Sequence, residues 1–357
     1  MKFINKQFSL INIQMNKISN LVVRSLLIGT GSLLSLILLR KYANGPKTKR
    51  TKRMDGKVVI VTGPSAGIGK VTALELLSQG ATVVFAARDL KKTSAILDSI
   101  NDQNIKKNAH LIRLDLSDFS SIREFSEKFK QQFNQLDILI NNAGAWNTQF
   151  SLTKDGIENT IGSNHIGPMV LTNYLLDQIQ KSNGRIINVS SRAHKRVSIN
   201  FNNLKELIVK GIPENYDFNK DKYASFSVYS ESKLANIYFT NYLADYFMKN
   251  NIDVKVVSLH PGVVLSDFFR STYKIIQFLA MPLAYLLMKS SFYGAQTTLE
   301  LCYIDDKDIV NGGYYDDCRI AKLSNDAEDI EKRNIYMQYS RLIIQTFGKG
   351  NNIELKY

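Results

Sequence analysis

Hydrophobic positions along this chain gather in short unbroken runs separated by stretches of helical spacing. Residues 57–62 (KVVIVT), 82–86 (TVVFA), 109–114 (AHLIRL), 136–140 (LDILI) and 184–189 (GRIINV) are apolar runs suited to strands buried on both faces of a parallel sheet. After the first run, Val71, Leu74 and Leu77 recur at helical spacing over 70–79, and the pattern stops at Gly80. Strand and helix alternate in this way through most of the chain. The pattern predicts an α/β fold: a single Rossmann-type, doubly wound parallel sheet with helices on both faces. A chain of 357 residues at 44% hydrophobic content can bury one sizeable core of this kind. The tail over 327–347 reads as one further helix and carries no motif.

The junction between the first strand and its helix carries chemistry. It contains Gly63, Ser65, Gly67, Ile68 and Gly69 in the segment GPSAGIG. Glycines there let the backbone turn tightly and approach a pyrophosphate, while the helix start presents unpaired N–H groups. A turn serving only chain reversal is the plain alternative, and the strand before and helix after argue against it. The second strand leads to Ala87 and Arg88, where a dinucleotide site reads the adenosine ribose. A carboxylate would suit the 2′-hydroxyl of NAD. Arg88, with Lys91 and Lys92 behind it, suits a 2′-phosphate and favours NADP over NAD. Asp89 argues the other way, and the same charges could be the solvated start of a helix.

Tyr229 and Lys233 stand four residues apart, so on a helix they share a face. An ammonium beside a phenol lowers a pKa of about 10 towards the working pH, which makes a usable proton donor. Alone the pair is weak, since 17 Tyr among many Lys produce such spacing by chance. Its companions are Asp115-Leu116 after the third strand, Asn142-Ala143-Gly144 after the fourth, Asn164, Ser190-Ser191 after the fifth, and His260-Pro261-Gly262-Val263-Val264-Leu265-Ser266.

Taken in order, these segments resemble the short-chain dehydrogenase/reductase family, with T-G-x-x-x-G-I-G, D-L, N-N-A-G, Asn, Ser, Y-x-x-x-K and P-G over about 54–317. Residues 191–194, 229–236, 294–297 and 313–318, and the long stretch between Ser191 and Tyr229, look like the membrane-bound retinol dehydrogenase branch. The resemblance implies that Ser191 hydrogen-bonds the substrate oxygen and Tyr229 exchanges its proton. Lys233 would bind the nicotinamide ribose and tune Tyr229, and Asn164 would hold a water relaying protons to Lys233. It also implies cofactor contacts at the glycine turn, with Asp115 and Leu116 at the adenine, Asn142, Ala143 and Gly144 by the ribose, and Pro261, Gly262, Val264 and Ser266 by the carboxamide. Ser190 is the alternative to Ser191. Structural readings compete: Asn164 as a helix cap, Asp115 closing a strand-end turn, His194 as an ordinary surface histidine.

The net charge of +14 suggests a nucleic-acid partner until it is located. Residues 1–53 hold 11 Lys or Arg and no Asp or Glu, which leaves +3 for the rest. Aromatic-interleaved basic patches and metal-spaced Cys/His clusters are absent, so neither nucleic acid nor metal is expected. Residues 21–39 form a mostly apolar run just long enough to cross a bilayer, with basic residues after it; the expected arrangement is a basic leader over 1–53, then a catalytic domain over 54–357. By charge asymmetry that domain faces the cytosol, with the endoplasmic reticulum membrane as the expected site. A mitochondrial presequence is the alternative, and a cleaved signal peptide finds no clear small-residue cleavage site. Two cysteines are too few for a disulfide framework. The apolar segment 275–288 is too short to span a membrane; it reads as a buried helix pair or as an apolar lid that contacts lipid. The function expected is hydride transfer between NADP(H) and a lipophilic alcohol or carbonyl, such as a retinoid, steroid or fatty aldehyde. A non-catalytic nucleotide-sensing or scaffold protein on the same fold is the rival.

Overall fold

The computed structural model describes residues 35–197, 199–210, 223–264, 285–351 and 353–357. The candidate Ser266, residues 275–284 of the expected lid and most of the apolar run 21–39 lie outside these residues.

Among the described residues eight strands form one sheet: β1 (Val58–Thr62), β2 (Thr82–Ala87), β3 (Ala109–Arg113), β4 (Ile138–Asn141), β5 (Arg185–Val189), β6 (Lys255–His260), β7 (Tyr314–Asp316) and β8 (Arg319–Ile320). Their order is β3-β2-β1-β4-β5-β6-β7-β8, parallel throughout except for the β7–β8 pair. Helices α1 (Gly67–Ser78), α2 (Leu90–Asp98), α3 (Phe119–Gln132), α4 (Gly167–Lys181), α5 (Ser225–Lys249), α6 (Gln296–Tyr303) and α7 (Ile330–Phe347) cover its faces.

Alternation along β1 shows how the two layers arise. Ile60 packs into a core with Phe125 of α3, Leu175 of α4, Phe239 of α5 and Tyr336 of α7. Val59 and Val61 point the other way, into a core with Leu76 of α1 and Leu299 of α6. Because both faces are covered, the strands read as continuous apolar runs in sequence.

From the expected membrane run, residues 35–39 begin a helix over 35–44, and its Leu36, Ile37, Leu38 and Leu39 are exposed. Among the described residues no helix is long and apolar enough to cross a membrane. The Arg40 guanidinium donates to the Met288 carbonyl and lies 4.5 Å over the Tyr285 ring. Beyond this helix the basic residues strap along α6. Thr48 N donates to Gln296 Oε1 at 3.2 Å, Arg50 pairs with Glu300 at 2.9 Å, and Lys52 pairs with Asp305 at 2.8 Å.

Candidate active site

Strand order reverses between β1 and β4, and the crevice beyond their carboxyl ends is where open α/β sheets take their ligands. Gly63 and Gly67 have φ of +66° and +57°, which favour glycine. At Gly69 an added Cβ would collide with the Asn142 amide and the Gly63 carbonyl. That amide donates to Thr62 O at 2.8 Å, while Thr62 Oγ1 accepts from Asn142 N at 3.0 Å and Ala143 N at 2.9 Å. Thr62, the first residue of the T-G-x-x-x-G-I-G segment, therefore stitches the glycine turn to the N-N-A-G segment. The side chain of Asn142 is committed to this stitch.

The start of α1 fits a pyrophosphate. Asp89 and Asp118 cap α2 and α3 with their side chains, whereas Ala66 gives α1 no side-chain cap. The first N–H groups of α1 are thus left to an anion, at the positive end of the helix dipole. Capping also occupies Asp89, whose carboxylate accepts from Lys92 N at 3.0 Å, while Arg88 is exposed at the end of β2. Ser65 Oγ lies 2.7 Å from Thr93 Oγ1 and ties the turn to α2. Asp115 does close a strand-end turn: its Oδ1 accepts from Ser117 N at 3.0 Å and Ser117 Oγ at 2.6 Å. Leu116 is buried, with its carbonyl against Gly167. Gly262 has φ +90° after the buried Pro261, and Val264 pairs with Lys289 in an isolated bridge. A Cβ at Gly294 would meet both Val264 Cγ2, at 2.7 Å, and Ile68 Cγ1, at 3.0 Å, so the P-G segment and the glycine turn converge there.

Asn164, Ser191, Tyr229 and Lys233 come together at the neighbouring end of the sheet. Ser190 is buried, and its Oγ donates to Lys233 O at 2.6 Å. The Ser191 hydroxyl instead lies near that of Tyr229, lowering the phenol's pKa, and its Oγ accepts from Ala193 N at 3.1 Å. Lys233 is buried; its Nζ donates to Val189 O at 3.0 Å and lies 5.6 Å from the centre of the Tyr229 ring. Gly144 makes room for it, since a Cβ there would lie 3.1 Å from Nζ. Asn164 sits in a π-helical turn, Gly162–Ile166, a distortion often found at functional sites. It is not a cap. Its Oδ1 accepts from Ala145 N at 2.8 Å, and its Nδ2 donates to Ala145 O at 2.8 Å and Ser232 Oγ at 3.0 Å. Both amide protons are used, so only a lone pair of Oδ1 or the backbone is left for a water.

Burial corrects one expectation. Loss of solvent pushes the Tyr229 phenol up to about 12, against the lowering effect of its hydrogen bond to Ser191, and pulls the Lys233 ammonium down to about 8. Desolvation, the larger influence on the phenol, works against the expected lowering. Tyr229 is thus a protonated donor at neutral pH. His194 also departs from expectation: it is buried, with Nδ1 2.7 Å from Ser191 O and its ring edge-on to Tyr314.

Among known proteins, the short chain dehydrogenase family pattern matches residues 57–203. Retinol dehydrogenase 13 of Mus musculus is 34% identical over 321 residues, covering 88% of this chain and 92% of its own. The chain belongs to the short-chain dehydrogenase family. This dehydrogenase is also 36% identical to Mus musculus retinol dehydrogenase 12 over 292 residues, 82% of this chain and 87% of that one. An uncharacterised Mycobacterium paratuberculosis protein superposes with TM-score 0.64 at 27% identity, over 84% of this chain and 98% of that one. A Burkholderia cenocepacia short chain dehydrogenase solved with NADP shares the fold at TM-score 0.56 and 24% identity, over 74% of this dehydrogenase and 97% of its own chain. The chain is therefore of an oxidoreductase family.

Proposed function

We propose that this dehydrogenase transfers hydride between NADP(H) and a lipophilic alcohol or carbonyl, retinoid-like, steroid or fatty. The observation that carries the reading is the convergence of Ser191, Tyr229 and Lys233, with Lys233 Nζ 5.6 Å from the centre of the Tyr229 ring and the Ser191 hydroxyl near the phenol. Two hydroxyls on one side of a cleft can both hydrogen-bond a carbonyl oxygen. As negative charge develops on that oxygen, Tyr229 gives up its proton and Lys233 stabilises the phenolate left behind. The reduced nicotinamide, when bound, supplies the hydride. The decisive assay is NADPH oxidation with a panel of retinoid, steroid and fatty aldehydes. No turnover with any of them would favour the nucleotide-sensing rival.

Arg88 supports NADP, because Asp89 is engaged as a helix cap and among the described residues no carboxylate pairs with the guanidinium. NADPH should bind about tenfold to a hundredfold more tightly than NADH through a charge-assisted contact to the 2′-phosphate. Arg88→Ala should erase most of that difference in a fluorescence titration. Equal affinities in the unaltered protein would remove the assignment.

A membrane seat for the leader is supported by the exposed run Leu36–Leu39, one turn of apolar side chains left facing water. Full-length protein is expected to stay with carbonate-washed membranes, and a truncation lacking residues 1–39 to leave them. Full-length protein in the soluble fraction would exclude an integral anchor.

A further inference from the structure

We infer that Trp146 is the wall of a substrate subsite that takes an elongated apolar chain attached to the reacting carbonyl. The inference rests on the oxidoreductase reading and names the substrate class it serves. Trp146 follows the N-N-A-G segment, and its ring lies 6.2 Å from that of Tyr229, tilted by 38°. Phe226, one helical turn before Tyr229, stands edge-on to the same indole at 5.9 Å, and Phe226 is exposed. A row of rings therefore leads from the surface to the phenol that would protonate the carbonyl oxygen. A chain laid along this row bonds to nothing and loses its water. That environment favours apolar carbon and penalises a hydroxylated substrate, whose polar groups would go unpaired.

The wall is fixed from both ends. Before Trp146, both backbone groups of Ala145 are held by the Asn164 amide at 2.8 Å. After it, the Asn147 carbonyl accepts from the Tyr223 hydroxyl at 3.1 Å. Tyr223 is itself oriented by Glu158 Oε1 at 3.0 Å and by the Phe150 ring, edge-on at 5.7 Å. A side chain between two anchored residues holds its place without a ligand, as a selective surface must. Asn164 thereby becomes a positioning residue for the wall.

The chain holds 1 Trp, so its fluorescence reports this position alone. In the NADPH-loaded full-length protein, 1-decanol should quench that emission saturably and 1-propanol at equal concentration should not. In kinetics, Trp146→Ala should lower the ratio of kcat/KM for decanal over propanal by about tenfold or more, through lost ring contact and apolar burial. Trp146→Phe should keep most of the ratio. An unchanged ratio in Trp146→Ala would overturn the inference, and so would a rise in the KM of NADPH as large as that for decanal, which would place the indole on the cofactor. If no carbonyl is turned over at all, the oxidoreductase reading fails; the decanol titration then decides the subsite by itself, and absent quenching rejects it.

Discussion

Replacing Tyr229 with phenylalanine is expected to reduce kcat by about 10²- to 10⁴-fold, the range associated with losing a positioned general acid. The ring and its packing against Trp146 survive the change, and only the hydroxyl near Ser191 is lost. NADPH affinity should therefore stay close to that of the unaltered protein, because Lys233 keeps its bond to Val189 and its space beside Gly144. The measurement is single-turnover reduction of a short aldehyde with a parallel NADPH titration. Activity above about a tenth of the original would mean that the proton comes from elsewhere.

Gly69→Ala should instead remove cofactor binding and destabilise the fold. Its Cβ has nowhere to go: it meets the Gly63 carbonyl and the Asn142 amide, and that amide holds the end of β1 through Thr62. Relief requires the backbone of the turn to open, at a cost of about 1–3 kcal/mol, typical of overpacking. The same movement displaces the N–H groups at the start of α1. Gly350→Ala is the control, since a Cβ there meets nothing within 4 Å. Thermal unfolding and NADPH titration of the two variants give the comparison. A Gly69→Ala protein that binds NADPH normally would show that the turn is not a phosphate cradle.

How much of this was legible in the sequence depends on how local each cause is. The first five strands announce themselves because a strand covered by helices on both faces is one apolar run, and their observed limits differ from the expected ones by no more than two residues. β7 and β8 do not, being three and two residues long, with exposed Arg319 and Ile320 completing the sheet edge. The helix after Gly63 starts at Gly67, earlier than the apolar spacing suggests, because its first turn serves the crevice and packs little carbon. In α5 the spacing of Tyr229 and Lys233 gave their shared face. It could not give the direction of the phenol's pKa, which is set by walls from other parts of the chain. His194 is covered by Tyr314, more than a hundred residues away, and nothing near it in sequence signals burial. Trp146 has no spacing signature either; only the fold brings it beside Tyr229.

The strap from Thr48 to Lys52 bears on how this enzyme moves. Between the end of the helix at residue 44 and Lys47, whose Nζ lies 4.8 Å over the Phe292 ring, the chain can reach at most about 11 Å. Arg40 adds a second point of attachment at Met288. The catalytic domain therefore has almost no slack relative to the helix over 35–44. It cannot tumble as a ball on a string would. Whatever receives Leu36–Leu39 also dictates the tilt of the sheet, and with it the direction in which the crevice opens.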